Sequence, residues 1–176
     1  MKHSASFRFK ENVNDFLDFM TDLVRETSVY CDDPIDVNTI VWVSNFIKIY
    51  DSDKLIITFI NDSYPHWDCI YNESEDYFLS EFFNIFKRNM SEKNEKCLTC
   101  LKNILNTKKT GTDDYVVTSD DKEIIWKYLK SFIRISIQYM HEVSVPDYNN
   151  DKIMYLNNKF NIDIESNVKK WNITLN

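Results

Sequence analysis

Glycine, alanine and proline are scarce in this chain of 176 residues, which contains one glycine, Gly111, one alanine, Ala5, and three prolines. Average usage in proteins is about 7% glycine and about 5% proline. Phosphate-binding loops, dinucleotide fingerprints and nucleophile elbows each need several glycines, because their backbone approaches a ligand closely or turns through positive φ. The composition therefore excludes these glycine-dependent enzyme sites.

Long apolar runs and basic stripes are also lacking. The longest uncharged apolar run extends from Leu55 to Ile60, far short of the ~18 residues that a membrane span requires. The segment from Met1 to Glu11 has no apolar core of signal-peptide length. The net charge is −7, and 21 basic residues are scattered among 28 acids. We expect a protein that has no membrane span, is not secreted and does not bind nucleic acid.

Apolar residues return every three or four positions along most of the chain, a spacing typical of amphipathic helices. The spacing predicts a helix over residues 11–29 and a long helix from a capping motif at Thr118 and Asp121 to about Glu142. Shorter helices are predicted from Val37, after Asp51, from Pro65, over 74–88, from Ser91 to about Leu105, and over 151–157. The β-branched residues after Val37 leave a strand open as the alternative.

Together these elements predict an all-α fold, a single compact bundle of six or seven helices that takes in residues 1–176. No linker rich in glycine, serine or proline divides the chain. We expect a polar lead-in over residues 1–10, an exposed loop over residues 107–118 and a less regular tail over residues 146–176.

Four side chains have a spacing that zinc permits: His66 and Cys69, followed by Cys97 and Cys100. Structural zinc is held by two such pairs of nitrogen and sulfur ligands. However, Cys97 and Cys100 fall within a predicted helix, where residues three apart share a buried face. We therefore expect free thiols and no cofactor, and we keep this zinc set as the weaker alternative.

Catalytic residues cannot be assembled from this sequence. Three histidines offer few general bases, and the acidic clusters at residues 73–76 and 120–123 stand at predicted helix starts. Capping and the helix dipole account for acids at such positions. We expect a protein that is not an enzyme.

Aromatic residues make up 15% of the chain, and four of them lie close together around Pro65: Tyr64, Trp67, Tyr71 and Tyr77. Aromatic side chains on helices are first of all core residues. Exposed together, they would instead form the kind of patch that anchors a protein partner. These four residues are our candidate partner-binding set.

Two stretches carry a resemblance to a known family. The stretch from Phe59 to Phe78, which contains FINDSYPHWD and EDYF, and the stretch from Asp121 to Tyr139, which begins DKEIIWKYLK, resemble helical proteins of nucleocytoplasmic large DNA viruses. The similarity covers about residues 40–145 and brings no catalytic motif with it. It implies a viral source, and either a virion component, such as a small helical protein that cements a capsid, or a host-directed factor.

The leading hypothesis is a non-enzymatic viral structural or assembly protein, such as a minor capsid protein, that acts through protein–protein contacts in the virion. Its partners would be viral capsid or assembly components, and self-association stays open. The alternative is a soluble factor of the host-cell cytoplasm that binds a host protein through a helical groove and modulates apoptosis or innate immunity.

Overall fold

The computed structural model describes residues 4–27, 29, 37–75, 77, 103, 105–144 and 164–175. Its helices are α1 (Ala5–Thr27), α2 (Val37–Ile49), α3 (Ser52–Ser63), a 3-10 turn (Tyr64–His66), α4 (Trp67–Tyr71), α5 (Ser119–Ser144) and α6 (Ile164–Lys170). The described residues form no β-strand, which confirms the all-α prediction and decides residues 37–49 in favour of a helix. The helices predicted over 74–88, from Ser91 and over 151–157 lie almost wholly outside the described residues.

The first helix begins earlier than its apolar spacing indicated. Ser4 Oγ accepts a hydrogen bond from the Phe7 amide at 3.3 Å, and Glu142 Oε2 accepts one from the Ala5 amide at 3.0 Å. Two of the amides that a helix start leaves without a partner are thereby satisfied. Ala5 and Phe9 are buried, so residues 5–10 are the first turns of α1 and not the predicted polar lead-in.

Local capping sets the starts of α3 and α5 as predicted. Asp51 lies in extended backbone before α3, and its Oδ1 accepts the Lys54 amide at 2.8 Å. Before α5, Thr118 and Asp121 form a reciprocal capping box, with the Thr118 amide donating to Asp121 Oδ2 at 2.9 Å and the Asp121 amide donating to Thr118 Oγ1 at 3.2 Å. Short-range side-chain chemistry thus fixes both helix starts.

A triangle of three phenylalanines joins α1, α3 and α5 at the centre of the core. The ring centroids of Phe9 and Phe59 are 5.2 Å apart, those of Phe9 and Phe132 5.4 Å, and those of Phe59 and Phe132 5.7 Å. Such tilted and edge-on contacts add to the free energy gained by burying the rings. The same core contains aliphatic residues that are almost fully buried, including Val24, Ile56, Ile60, Leu129, Ile133 and Ile137.

Helices α1 and α5 run antiparallel. The start of α1 contacts the end of α5 through Glu142, the Asn12 side chain donates to Ser131 Oγ at 2.8 Å, and Phe16 lies 5.4 Å from Tyr128. The partners in α5 thus move toward its start as α1 advances. This pairing presents the long inward face of each helix to the other and leaves the opposite face of α1 to solvent.

Glycine scarcity shows directly in how α4 ends. The Ser74 amide donates to the Cys69 carbonyl at 3.0 Å and the Glu73 amide donates to the Ile70 carbonyl at 3.2 Å, which is the Schellman pattern. That motif places one residue at positive φ, a position that usually holds glycine, and here Glu73 holds it with φ 53°. Helix α4 is therefore followed by a residue, Glu73, whose backbone conformation is strained.

The end of α6 repeats the motif. The Ile173 amide donates to the Val168 carbonyl at 3.0 Å, the Asn172 amide donates to the Lys169 carbonyl at 3.4 Å, and Asn172 has φ 49°. Asparagine tolerates this left-handed conformation better than most residues. The turn folds Ile173 back beside α6, so part of the tail predicted to be less regular has a defined shape.

The loop around Gly111 has an exposed tip and a buried base. Gly111 has φ 81°, the Lys109 amide donates to the Asp114 carbonyl at 2.8 Å, and a single antiparallel bridge joins Lys108 to Tyr115. Residues 110–115 are exposed, as expected for the 107–118 loop. Val116 and Val117 are buried, at 4% and 1% exposure, so the loop returns to the core before α5 begins.

Candidate functional site

The aromatic residues around Pro65 form a junction with the segment 164–175, not an open patch. Tyr71 stacks on Trp171, with ring centroids 5.1 Å apart and planes 21° apart, and Trp67 lies 6.0 Å from Trp171. Tyr64 meets the Trp67 ring edge-on at 5.2 Å. We call Tyr64, Trp67, Tyr71 and Trp171 the aromatic junction; it ties α4 to residues about a hundred positions later in the chain.

Trp67 is not available as a surface anchor, because its side chain is 1% exposed. Its Nε1 donates to Ser63 Oγ at 2.8 Å, and that hydroxyl donates in turn to the Phe59 carbonyl at 2.7 Å. A buried tryptophan needs a partner for its N–H, and Ser63, four residues earlier, supplies one. The prediction of an exposed patch is therefore wrong for Trp67.

The other members of the predicted partner-binding set are half-buried. Tyr64 and Tyr71 belong to the aromatic junction, whereas Tyr77 stacks on His66 with ring centroids 5.2 Å and planes 29° apart. Of the four predicted residues, three therefore lie in the aromatic junction, and Tyr77 lies in a separate contact with His66. Trp171 covers the aromatic junction, which contains Trp67. Sequence spacing did not associate Trp171 with these residues.

Ion pairs join α4 and its flank to α5 and α6. Lys170 Nζ lies 2.6 Å from Asp68 Oδ1, and Lys130 Nζ lies 2.6 Å from Glu73 Oε1. Nearer the start of α5, Lys122 pairs with Glu75. All three pairs are partly exposed, and such pairs contribute little stability individually. Together they join α4 and the residues just after it to α5 and α6.

Two backbone carbonyls of the segment 164–175 accept hydrogen bonds from the body of the protein. The Tyr71 hydroxyl donates to the Trp171 carbonyl at 2.9 Å, and Gln138 Nε2 donates to the Thr174 carbonyl at 3.3 Å. Arg134 donates in turn to the Tyr71 hydroxyl at 3.3 Å. The junction is therefore held by both apolar and polar contacts.

Only two of the four residues in the weaker zinc alternative lie among the described residues. His66 lies in the 3-10 turn and Cys69 in α4, whereas Cys97 and Cys100 lie outside the described residues. Across the part of the chain that the structure describes, no three histidine, cysteine or acidic side chains are grouped so as to hold a metal ion. His66 and Cys69 alone provide half of the ligands that a structural zinc ion requires.

The outward face of α1 is acidic. Its exposed residues recur at three- and four-residue spacing and include Glu11, Asp15, Asp18, Asp22 and Glu26. Arg25 pairs with Asp22 at 3.2 Å. Burial raises the pKa of the nearby Tyr128 hydroxyl, and the negative charges of Asp15 and Asp18 raise it further. This face is suited to contact with water.

The outward face of α2 has a different composition. Among the α2 side chains that the structure describes, the exposed ones are Asn38, Val41, Asn45, Lys48 and Ile49. They lie within one sector of about 100° of the helix circumference. Ile49 is 83% exposed and Val41 36%. Lys48 is the one charged residue among the 13 of α2. We call these five residues the α2 face; near absence of charge from residue 37 to residue 49 is the signal in the sequence that marks it.

None of the helices that the structure describes is long and apolar enough to cross a bilayer. No protein-family model matches the chain, and neither a curated protein nor a solved structure matches it.

Proposed function

We propose that this chain is a non-enzymatic viral structural or assembly protein and that the α2 face is where it contacts another protein. The observation that carries the proposal is the exposure of Ile49 and Val41 on a helix with a single charged residue. The described helices would belong to one compact bundle of six or seven helices that presents this face.

The α2 face differs from ordinary protein surface in its low content of charged residues. Isolated exposed apolar residues are common on soluble proteins. The centres of protein interfaces, however, are depleted of charge and gain from apolar side chains. Burying an isoleucine side chain contributes on the order of 1.5–3 kcal/mol, and most of the Ile49 side chain is exposed before any partner binds. The Asn38 and Asn45 amides would supply polar contacts beside it.

The resemblance of residues 40–145 to helical proteins of large DNA viruses supports a viral source, and it is shared by the virion role and by the host-interaction alternative. A capsid-associated protein would use the α2 face against a capsid or assembly component. Residues 40–145 include most of α2 and all of α3, α4 and α5, whereas the two stretches that carry the resemblance, 59–78 and 121–139, lie outside α2.

Quantitative mass spectrometry of purified particles tests the proposal. We expect wild-type protein in the particles and at least about a tenfold reduction for Ile49→Asp, because the carboxylate would have to be buried at the contact. The matched control is Ile124→Asp, which makes the same change at an exposed position of α5. Thermal melting of both variants checks that each is folded.

Absence of the wild-type protein from particles would overturn the virion role. If the protein then remains in the cytosol and Ile49→Asp abolishes binding to a host protein, the host-interaction alternative takes its place. Equal amounts of wild type and Ile49→Asp in particles would remove the α2 face from the proposal.

A further inference from the structure

Lys48, the one charged residue of α2, is exposed and has no partner among the described residues. Most lysine and arginine side chains that the structure describes form an ion pair within the molecule, as Lys130 does with Glu73. Across the same part of the chain, no acid lies within ion-pair distance of the Lys48 ammonium. The chain carries 28 acids against 21 basic residues, so a shortage of acids does not explain this.

Other residues fill the roles that usually explain a lysine at the end of a helix. A cation in the last turn can bind the last carbonyls of the helix and interact with its dipole. At the end of α2, Lys10 Nζ donates to the Tyr50 carbonyl at 2.7 Å. The nearest acid in sequence, Asp51, accepts the Lys54 amide at the start of α3. Lys48 is therefore not needed to close α2 or to begin α3.

Lys48 lies at one edge of the α2 face, next to its apolar side chains. Around the helix axis it is about 20° from Val41, two turns earlier, and about 100° from its neighbour Ile49. The four-carbon stem of a lysine can pack on an apolar surface while the ammonium reaches the rim of a contact. A protein that covers both Val41 and Ile49 therefore also meets Lys48.

The charge of Lys48 restricts the chemistry of the surface that can cover it. Removing an ammonium group from water without a partner is costly, and this cost would oppose the gain from burying Val41 and Ile49. A carboxylate opposite Lys48 removes that cost, because the two groups form a charge-assisted hydrogen bond. Helix α1, which packs against α2, carries a row of acids that repels such a carboxylate and so favours its approach over α2.

We propose that the partner of the α2 face presents an aspartate or glutamate beside an apolar surface, and that Lys48 pairs with this carboxylate while Val41 and Ile49 contact the apolar surface. This inference rests on the proposed function, because it names the chemistry of the capsid or assembly component that the α2 face contacts. The pair also orients the partner, since its carboxylate has to lie at the Lys48 edge of the face.

Carbodiimide cross-linking of purified particles tests for the carboxylate. The reagent activates a carboxylate, and the amine of a lysine in contact with it forms an amide bond as the reagent leaves as a urea. Because no spacer remains, the reaction reports direct contact. We expect mass spectrometry to find Lys48 joined to an aspartate or glutamate of another polypeptide, which also identifies the partner. Lys48→Arg is the matched control, since it keeps the charge and the incorporation but forms no such cross-link.

The amount of each variant in particles gives the sign of the partner's charge. Lys48→Gln should lower incorporation about threefold, because losing one exposed pair changes an equilibrium by a few-fold, and Lys48→Glu should lower it at least about tenfold, because repulsion adds to that loss. Lys169→Glu makes the same charge change at an exposed position of α6 and should have no effect. Thermal melting checks that each variant is folded.

Two results would overturn the proposal: incorporation of Lys48→Gln at or above the wild-type level, or the absence of any cross-link from Lys48 to another polypeptide. If Ile49→Asp is lost from particles while these results are found, the α2 face remains the contact and only its acidic partner is rejected. If the wild-type protein is absent from particles, the proposed function and this inference both fail.

Discussion

Helices α1 and α2 pack against each other but present opposite kinds of surface to solvent. The outward face of α1 carries five exposed acids along its length, whereas the α2 face carries two apolar side chains, two amides and one lysine. Acids keep a helix face hydrated, since burying a carboxylate without a partner is costly. The α2 face has one charged residue, so burying it against a partner does not require the burial of carboxylates. The comparison teaches that contact with another protein is expected at α2 and not at α1.

The inward side of α1 packs against the rest of the protein, and α1 also supports α2. Helix α1 buries Phe9 and contacts α2, α3 and α5, and Lys10 Nζ donates to the Tyr50 carbonyl just beyond the end of α2. That hydrogen bond satisfies a carbonyl at the end of α2, so α2 is fixed to α1. The α2 face is thus presented on a supported helix.

The largest expected effect concerns Phe132 of α5, which packs against the inward side of α1. Phe132→Ala removes the ring that contacts both Phe9 and Phe59, and we expect it to lower the free energy of unfolding by about 3–5 kcal/mol. Ile49→Ala, at an 83% exposed position, should change it by less than about 0.5 kcal/mol. Urea unfolding measures both values. Similar losses for the two variants would show that Ile49 belongs to the core.

The second prediction exchanges charge between the two outward faces with almost no change in side-chain shape. Asn45→Asp adds a carboxylate to the α2 face, and Asp18→Asn removes one from α1. We expect Asn45→Asp to weaken the contact with the partner by about tenfold or more, because an unsatisfied charge at an interface costs on the order of 2 kcal/mol. Asp18→Asn should leave it unchanged. Incorporation into particles measures both, and the opposite order would assign the contact to α1.

A third prediction concerns the start of α1. Glu142→Ala removes the carboxylate that accepts the Ala5 amide and contacts Arg8, and we expect a loss of about 1 kcal/mol. Hydrogen exchange of the first turn should rise, while exchange in α2 stays unchanged. If the amides of the first turn exchange as slowly in the variant as in the wild type, Ser4 alone is sufficient to begin the helix.

The smallest expected effect is a pH dependence that arises from the burial of Tyr128 and, to a lesser extent, from the nearby acids of α1. Burial, together with Asp15 and Asp18, raises the pKa of Tyr128 above the value of about 10 for an unfolded tyrosine. The native state therefore holds this proton more tightly, so the contribution of Tyr128 to the free energy of unfolding should be constant below about pH 10 and fall above it. Tyr128→Phe should lose less stability between pH 9 and 11 than wild type. An equal loss of stability in the wild type and in Tyr128→Phe would show that groups other than Tyr128 cause it.

Local chemistry made some of these features predictable. The cap at Asp51 and the capping box at Thr118 involve residues three apart, so short sequence patterns contain them. The start of α1 depends on Glu142, 137 residues away from Ala5, and no local pattern contains that contact. Trp67 shows the same limit: Pro65 and the nearby tyrosines indicated a surface segment, whereas Ser63 and Trp171 bury it.

Covalent labelling of free and assembled protein tests the difference between the two faces most directly. Hydroxyl radicals modify exposed aliphatic side chains such as Ile49, and carbodiimide chemistry modifies exposed carboxylates such as Asp18. We expect modification of Ile49 to fall several-fold on assembly and modification of Asp18 to stay the same. Unchanged modification of Ile49, with protection of Asp18, would contradict the account.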